Sequence, residues 1–273
     1  MTVEEIRVSS RWLDLREAAD AAARARDLVA HVRRRLPATG RWLIHDLACG
    51  TGAMGRWLAP LLPGPQHWVV HDRDADLLEV AAADLPCTAA DGAPVVVETR
   101  LTDITQLDPD ELAGATLITA SALLDLMTGD ELARLAGVCA APGCPVLLTL
   151  SVAGRVDLAP ADPLDSRAAA AFDAHQRRMT ASGRLLGPDA AAAAVSEFRR
   201  AGADALVRPS PWRLGATEAD LAAEWLAGWV GAAGEQEVEL AAELEPYFER
   251  RLTQARAGQL HVTVGHTDLL VLP

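Results

Sequence analysis

Apolar positions along the chain follow two alternating rhythms. Between residues 12 and 36, Leu13, Ala22, Leu28, Val29 and Val32 recur at helical spacing, and Pro37 to Gly40 end the run. A short apolar stretch over 42–47 then reads as a strand, followed by a glycine-bearing loop and a helix over about 53–62. Further strands are predicted at 67–71, 95–98, 116–120, 145–151 and 205–208, with helices at 75–83, 109–113, 129–139 and 189–202 between them. Short strands alternating with helices predict a parallel sheet covered on both faces.

Two stretches break the rhythm. Residues 152–187 are too long for a plain connection, and RAAAAFDAHQRRMTA within them reads as an inserted helix, placed where long insertions often act as lids. After the sixth strand, helical patterns over 218–230 and 237–257 precede the terminal apolar segment HVTVGHTDLLVLP, which is expected to return to the sheet. With neither a repeat nor a Pro/Gly/Ser linker, the chain is expected to form one domain. Its parts are an N-terminal helical segment (1–40), a ligand-binding half (41–152), an inserted lid (153–187) and the rest of the sheet with the late helices (188–273).

Composition narrows the function. With 273 residues, half of them hydrophobic, the chain can bury a sizeable core. A net charge of -13 opposes polyanions, so a small-molecule substrate is expected and nucleic acid is not. No apolar run approaches the roughly 20 residues that span a bilayer, and the acidic N-terminus does not resemble a secretory signal. A cytoplasmic protein without membrane attachment follows. The sequence contains no Lys and no Asn, which removes Schiff-base chemistry, a P-loop lysine and a Tyr/Lys proton relay. Cys49, Cys87, Cys139 and Cys144 form no C-x-x-C pair and are expected to be reduced and mostly buried; no metal-ligand spacing occurs.

Gly50, Gly52 and Gly55 of HDLACGTGAMGRWLA have the G-x-G-x-x-G spacing of a nucleotide loop, which is weak by itself. Asp46 at the end of the first strand carries more weight. Its carboxylate would repel a pyrophosphate and attract a sulfonium cofactor bearing an ammonium group. Asp46-Leu-Ala-Cys-Gly-Thr-Gly resembles the first motif of the class I S-adenosylmethionine-dependent methyltransferases. The resemblance implies a doubly wound, Rossmann-like α/β sheet, mostly parallel with an antiparallel final strand, plus the N-terminal helix and the inserted helical lid. It also implies S-adenosyl-L-methionine as cofactor, with S-adenosyl-L-homocysteine as product.

Residue by residue, the resemblance gives Asp46 the methionyl amino group and passes Ala48, Gly50 and Gly52 beneath the adenosine. Asp72, with Arg73 beside it, falls where a carboxylate accepts from the ribose hydroxyls. Asp103 falls where an acid accepts from the adenine amino group, with Ile104 supplying a backbone contact. Ser121 opens TASALLDLM, similar to the segment that closes over the methionine part, and Arg16 on the N-terminal helix could fork onto its carboxylate. Thr116 stands where the family often has an acid. The absence of an Asn/Asp-Pro-Pro-aromatic tetrapeptide disfavours amino-methylation of DNA bases or glutamine.

Acceptor residues are sought in the insertion and after the sixth strand: Phe172, Arg178, Trp212 and Arg213, with Trp12 from the N-terminal helix. His175 is the candidate general base. The arginines would suit a carboxylate-bearing acceptor. Methyl transfer to oxygen or nitrogen of a small metabolite is the expected activity. Two alternatives stand beside it: a nicotinamide-dependent oxidoreductase using the same glycines, and a cofactor-binding partner protein without catalysis.

Overall fold

Two helices, not the single one predicted, open the chain: α1 (Ser10–Ala23) and α2 (Arg26–Arg33). They belong to a computed structural model that describes residues 8–35 and 40–273; the expected helix end at Leu36 and the stop at Pro37 lie outside the described residues. Asp20, Arg24, Leu28 and Val32 are all buried and follow one another at intervals of four, but the break re-aims the stripe after Arg24. The backbone extends at Arg24 (ψ 136°) and Ala25 (ψ 91°). The Ala25 amide then donates to Asp268 Oδ2 at 2.8 Å.

The sheet is built from β1 (Trp42–Leu47), β2 (Gln66–Asp72), β3 (Val95–Leu101), β4 (Leu117–Ser121), β5 (Val146–Ala159), β8 (Asp204–Pro209), β9 (Trp212–Leu214) and β10 (His261–Leu272). Its order is β3-β2-β1-β4-β5-β10-β8, with β9 also pairing β10. β1 to β5 run parallel, whereas β10 is antiparallel to β5, β8 and β9. This is the doubly wound, mostly parallel sheet with an antiparallel final strand that was expected. The strand order reverses between β1 and β4, so the ligand position of such a sheet lies beyond the carboxyl ends of those two strands.

One face of the sheet is covered by α2, α3 (Ala53–Leu58) and α4 (Ala75–Asp84), around Ile44, Trp68 and Leu117. The other carries α5 (Gly129–Ala140) and α7 (Ala190–Arg200), around Leu47, Ile118 and Leu148. A third apolar cluster joins α6 (Asp165–Gln176), α8 (Ala219–Gln236) and α9 (Val238–Arg256) to β9 and the outer halves of β5 and β10, with Trp225, Trp229 and Tyr247 at its centre.

Three predicted elements are corrected. β5 does not end at 151 but runs to Ala159, because the twelve-residue β10 pairs with it as far as His261↔Ala159. The insertion accordingly starts later and holds α6 and a small hairpin, β6 (Met179–Thr180) and β7 (Gly183–Arg184). Residues Pro109–Leu112 form a 3-10 turn capped by Asp108 and Glu111, not an α-helix. Among the described residues no helix is long and apolar enough to cross a membrane.

Candidate functional site

The three glycines after β1 divide into two roles. A Cβ on Gly52 would lie 2.8 Å from Leu85 Cδ1, and one on Gly55 2.6 Å from Leu85 Cδ2. Both let α3 approach the end of α4, which is packing. Gly50 faces the other way: its Cβ would lie 3.0 Å from Leu13 Cδ1 of α1. α1 therefore roofs the loop. It is tied to α3 by a bidentate contact from Arg56 to Glu17, and among its described residues it fully buries only Asp20.

Asp46 projects from β1 at the point of strand reversal and is 1% exposed. Its register partner on β4 is Thr119, whose hydroxyl donates to Asp46 Oδ1 at 2.6 Å. Asp46 Oδ2 is buried without a partner. Burial pushes the carboxyl up to about 7, against the Thr119 hydrogen bond and the Arg24 charge, and the nearby Asp72 adds to the rise.

Arg24 enters the same place from the break between α1 and α2. Its guanidinium stacks over Trp57, 5.3 Å from the ring centroid, and Nη2 donates to Ser121 Oγ at 3.1 Å. Ser121 Oγ also accepts from Thr149 at 3.1 Å. Arg24 Nε and Nη1 and Trp57 Nε1 are buried and unpartnered. Counting Asp46 Oδ2, four of the eleven such atoms among the described residues sit at or beside this place. Buried polar groups are seldom left unpaired, and an uncompensated buried charge is costly, so the concentration marks a site for a polar ligand.

Backbone strain gathers here too. Ala48 (φ 51°), Ala122 (φ 53°) and Leu150 (φ 58°) are the non-glycine residues with positive φ among those described. They follow β1, follow β4, and interrupt β5 one residue beyond the last β4–β5 pair, Ser121↔Thr149. Conformations costing of order 1–3 kcal/mol each persist only where the surroundings impose them.

Asp72 ends β2 as expected and accepts the Gly50 amide at 2.8 Å and the Asp74 amide at 3.0 Å, so it fixes the loop that α1 roofs. Arg73 follows it, exposed. Asp103 is exposed and caps the 3-10 turn Ile104–Gln106, accepting from the Thr105 amide and hydroxyl, while Ile104 is buried.

Arg16 does not reach the strand reversal as a free fork: its guanidinium donates to both oxygens of Asp20, at 3.0 and 3.3 Å, and lies 4.9 Å from the centroid of Trp212. Trp212 is buried, donates from Nε1 to Asp20 Oδ1 at 2.9 Å, and meets Trp12 at a centroid distance of 6.3 Å. These four residues form one cluster between α1 and β9.

The insertion residues lie elsewhere. His175 on α6 is 3.2 Å from Glu235 of α8, and Phe172 packs 6.5 Å from Trp229. Arg178 turns back on the His175 carbonyl at 3.3 Å. Arg213 is exposed and lines a cavity of about 320 Å³ with Gly215, Glu218 and His261. The structure thus brings Asp46, Ala48, Gly50, Asp72 and Ser121 together and leaves His175, Phe172, Arg178 and Arg213 apart from them. Cys49, Cys139 and Cys144 are buried and Cys87 is exposed.

Sequence reasoning missed Arg24, Trp57, Thr119 and His266. For Arg24 a signal existed: Asp20 and Arg24 continue the buried four-residue spacing of Leu28 and Val32. Nothing local marks the other three: Thr119 meets Asp46 of β1, Trp57 meets Arg24, and His266 meets Trp212 of β9.

No protein-family model and no curated protein matches this chain. Among solved structures, the SAM-dependent methyltransferase from Geobacter sulfurreducens in complex with S-adenosyl-L-homocysteine aligns over 97% of this chain and 98% of its own, at 14% identity and a TM-score of 0.45. The SAM-dependent methyltransferase from Thiobacillus denitrificans, also in complex with S-adenosyl-L-homocysteine, gives 98% and 100% coverage, 14% identity and a TM-score of 0.45. The cyclopropane synthase MmaA2 from Mycobacterium tuberculosis gives 90% and 83%, 14% identity and a TM-score of 0.45. At these identities the likeness is one of chain path.

Proposed function

We propose that this chain binds S-adenosylmethionine at the β1–β4 reversal and transfers its methyl group to oxygen or nitrogen of a small molecule. One observation carries the reading: Asp46 offers a buried unpartnered carboxylate oxygen where Arg24 offers two buried unpartnered N–H groups. That pair is complementary to an α-amino acid zwitterion, the ammonium going to Asp46 and the carboxylate to Arg24. A dinucleotide pyrophosphate would instead meet the Asp46 and Asp72 carboxylates. A net charge of -13 favours a small acceptor over nucleic acid.

When bound, the cofactor supplies a methyl carbon already activated by the sulfonium. The protein's own part is alignment and exclusion of water. Asp46 and Arg24 anchor the amino-acid end, Gly50 admits close approach of the backbone, and Asp72 retains lone pairs for ribose hydroxyls while it holds the loop. α1 closes over them. The helix is held there by the Arg56–Glu17 and Trp212–Asp20 contacts and by Trp12, Leu15, Ala19 and Ala23 packed on the third apolar cluster.

Calorimetric titration tests the reading with S-adenosylhomocysteine, with 5′-methylthioadenosine, which lacks the amino-acid end, and with oxidised and reduced nicotinamide dinucleotides. Micromolar affinity for the first, much weaker affinity for the second and none for the dinucleotides is the expected result. Dinucleotide binding alone would overturn the proposal and point to hydride transfer.

A further inference from the structure

His266 is 6% exposed, lies on β10 and has no partner at Nδ1. Its ring meets Trp212 at a centroid distance of 5.1 Å, and Trp212 is bonded to Asp20, which holds Arg16. The imidazole therefore looks toward α1, alongside the cluster next to Arg24. Its aim is set by an irregular stretch of sheet. The β5–β10 register shifts between Val264 and His266 and again between Thr267 and Leu269, and β5 carries positive φ at Leu150 (58°) and Gly154 (66°). Bulges on either side of a two-residue pairing re-aim the side chains between them.

We propose that His266 binds the methyl acceptor, its bare Nδ1 receiving a hydrogen bond from an O–H or N–H of that molecule. The inference rests on the methyl-transfer reading above and names the acceptor chemistry at the same site. Burial, followed by the Arg16 charge, holds the imidazole down at about 3, so the ring is neutral at ordinary pH and carries one N–H and one lone pair; the proposal takes the tautomer with the lone pair at Nδ1. In that tautomer the ligand group facing Nδ1 is a donor.

The surroundings decide against an anionic end. Arg16 is already committed to both oxygens of Asp20. Asp125, from the segment after β4, feels the Arg16 charge while burial raises its carboxyl, so an acceptor carboxylate would meet a second acid there. Trp12 and Trp212 supply apolar wall. The acceptor class is a small hydroxyl- or amine-bearing molecule presented without a carboxylate at this end, which differs from the carboxylate-bearing acceptor expected from the insertion arginines.

The test uses full-length protein with ¹⁵N-labelled histidine, loaded with S-adenosylhomocysteine, and three probes: phenol, ethanolamine and benzoate. A saturable shift of the His266 Nδ1 resonance with phenol or ethanolamine and none with benzoate is expected. A His266→Asn variant should keep the melting temperature and the S-adenosylhomocysteine affinity while losing probe binding, which a purely structural histidine would not do. No shift with any probe, a shift with benzoate alone, or unchanged probe binding in the variant overturns the assignment. If S-adenosylhomocysteine itself does not bind, the methyl-transfer reading fails first; a probe-induced shift in that protein would then mark a site for some other reaction and overturn the role of His266 in binding a methyl acceptor.

Discussion

The Asp268 carboxylate takes the Ala25 amide at 2.8 Å, so the last strand of the sheet determines where the first two helices part. The same carboxylate accepts from the Leu150 amide at 2.8 Å and from Ser210 Oγ at 2.5 Å. One residue thus couples the α1–α2 break, the irregularity in β5 and the loop before β9. Arg24 reaches the β1–β4 reversal because of it.

Replacing Asp268 with Asn would keep the volume and turn one acceptor into a donor facing donors. The Asp268→Asn protein is expected to lose about 2–4 kcal/mol of stability, as for a buried charged hydrogen-bond network broken from one side. Urea denaturation measures the loss. S-adenosylhomocysteine affinity should fall as well, since Arg24 is no longer held in place.

Arg24→Met separates the two ends of the ligand. Replacing the guanidinium by an apolar side chain of similar length removes two unpartnered N–H groups but also the positive charge that faces Asp20, Asp268 and Asp46, so the melting temperature should fall. S-adenosylhomocysteine affinity should drop by about 1.5–3 kcal/mol, the worth of a charged hydrogen bond. Affinity for 5′-methylthioadenosine should not change. Equal losses for both ligands would remove Arg24 from the amino-acid end.

Cofactor affinity should depend on pH through Asp46. Its carboxyl titrates at about 7 in the ligand-free protein, and an ammonium partner lowers that value. Binding then requires the ionised form, so affinity is full above pH 7 and falls by up to about tenfold per unit as the pH drops below it. Calorimetry between pH 5 and pH 8, in buffers of different ionisation heat, should show proton release at the lower end. Asp46→Asn should bind weakly with no such slope.

Acid should destabilise the fold through a buried histidine pair. Nδ1 of His45 and Nε2 of His71 lie 3.0 Å apart, and burial first, with neighbouring positive charge adding, brings both rings down to about 4. The unfolded chain takes up protons near 6.5 while the folded one does not, so stability is present above that pH and is lost as pH falls from about 6.5 toward 4. Asp46, Asp125, Asp173 and Asp268 act oppositely over part of this range, because their folded values are raised. The contribution of the histidines, of order 3 kcal/mol per ring, is therefore read as the difference between the pH profiles of the native protein and a His45→Leu/His71→Leu double variant. The double variant should have a flatter acid limb.

By itself the sequence determined the alternation of strands and helices, the return of the last segment to the sheet and the place of the glycine loop with Asp46 and Asp72. These features rest on local periodicity and on motifs contiguous in the chain, which survive without knowledge of what packs on them. The inward ends of the elements were less legible. β5 extends to Ala159 only because β10 pairs with it, and β9 exists only as a partner of β10. The tertiary structure decided which arginine reaches the β1–β4 reversal. Arg16 and Arg24 lie on the same stretch of chain, but Asp20 engages the first while Asp268 breaks the helix and delivers the second. The same holds for His266 and Trp57, whose surroundings are supplied by α1 and its flanks. A charge's partner, and so its chemistry, depends on residues distant in sequence, and no local spacing encodes that.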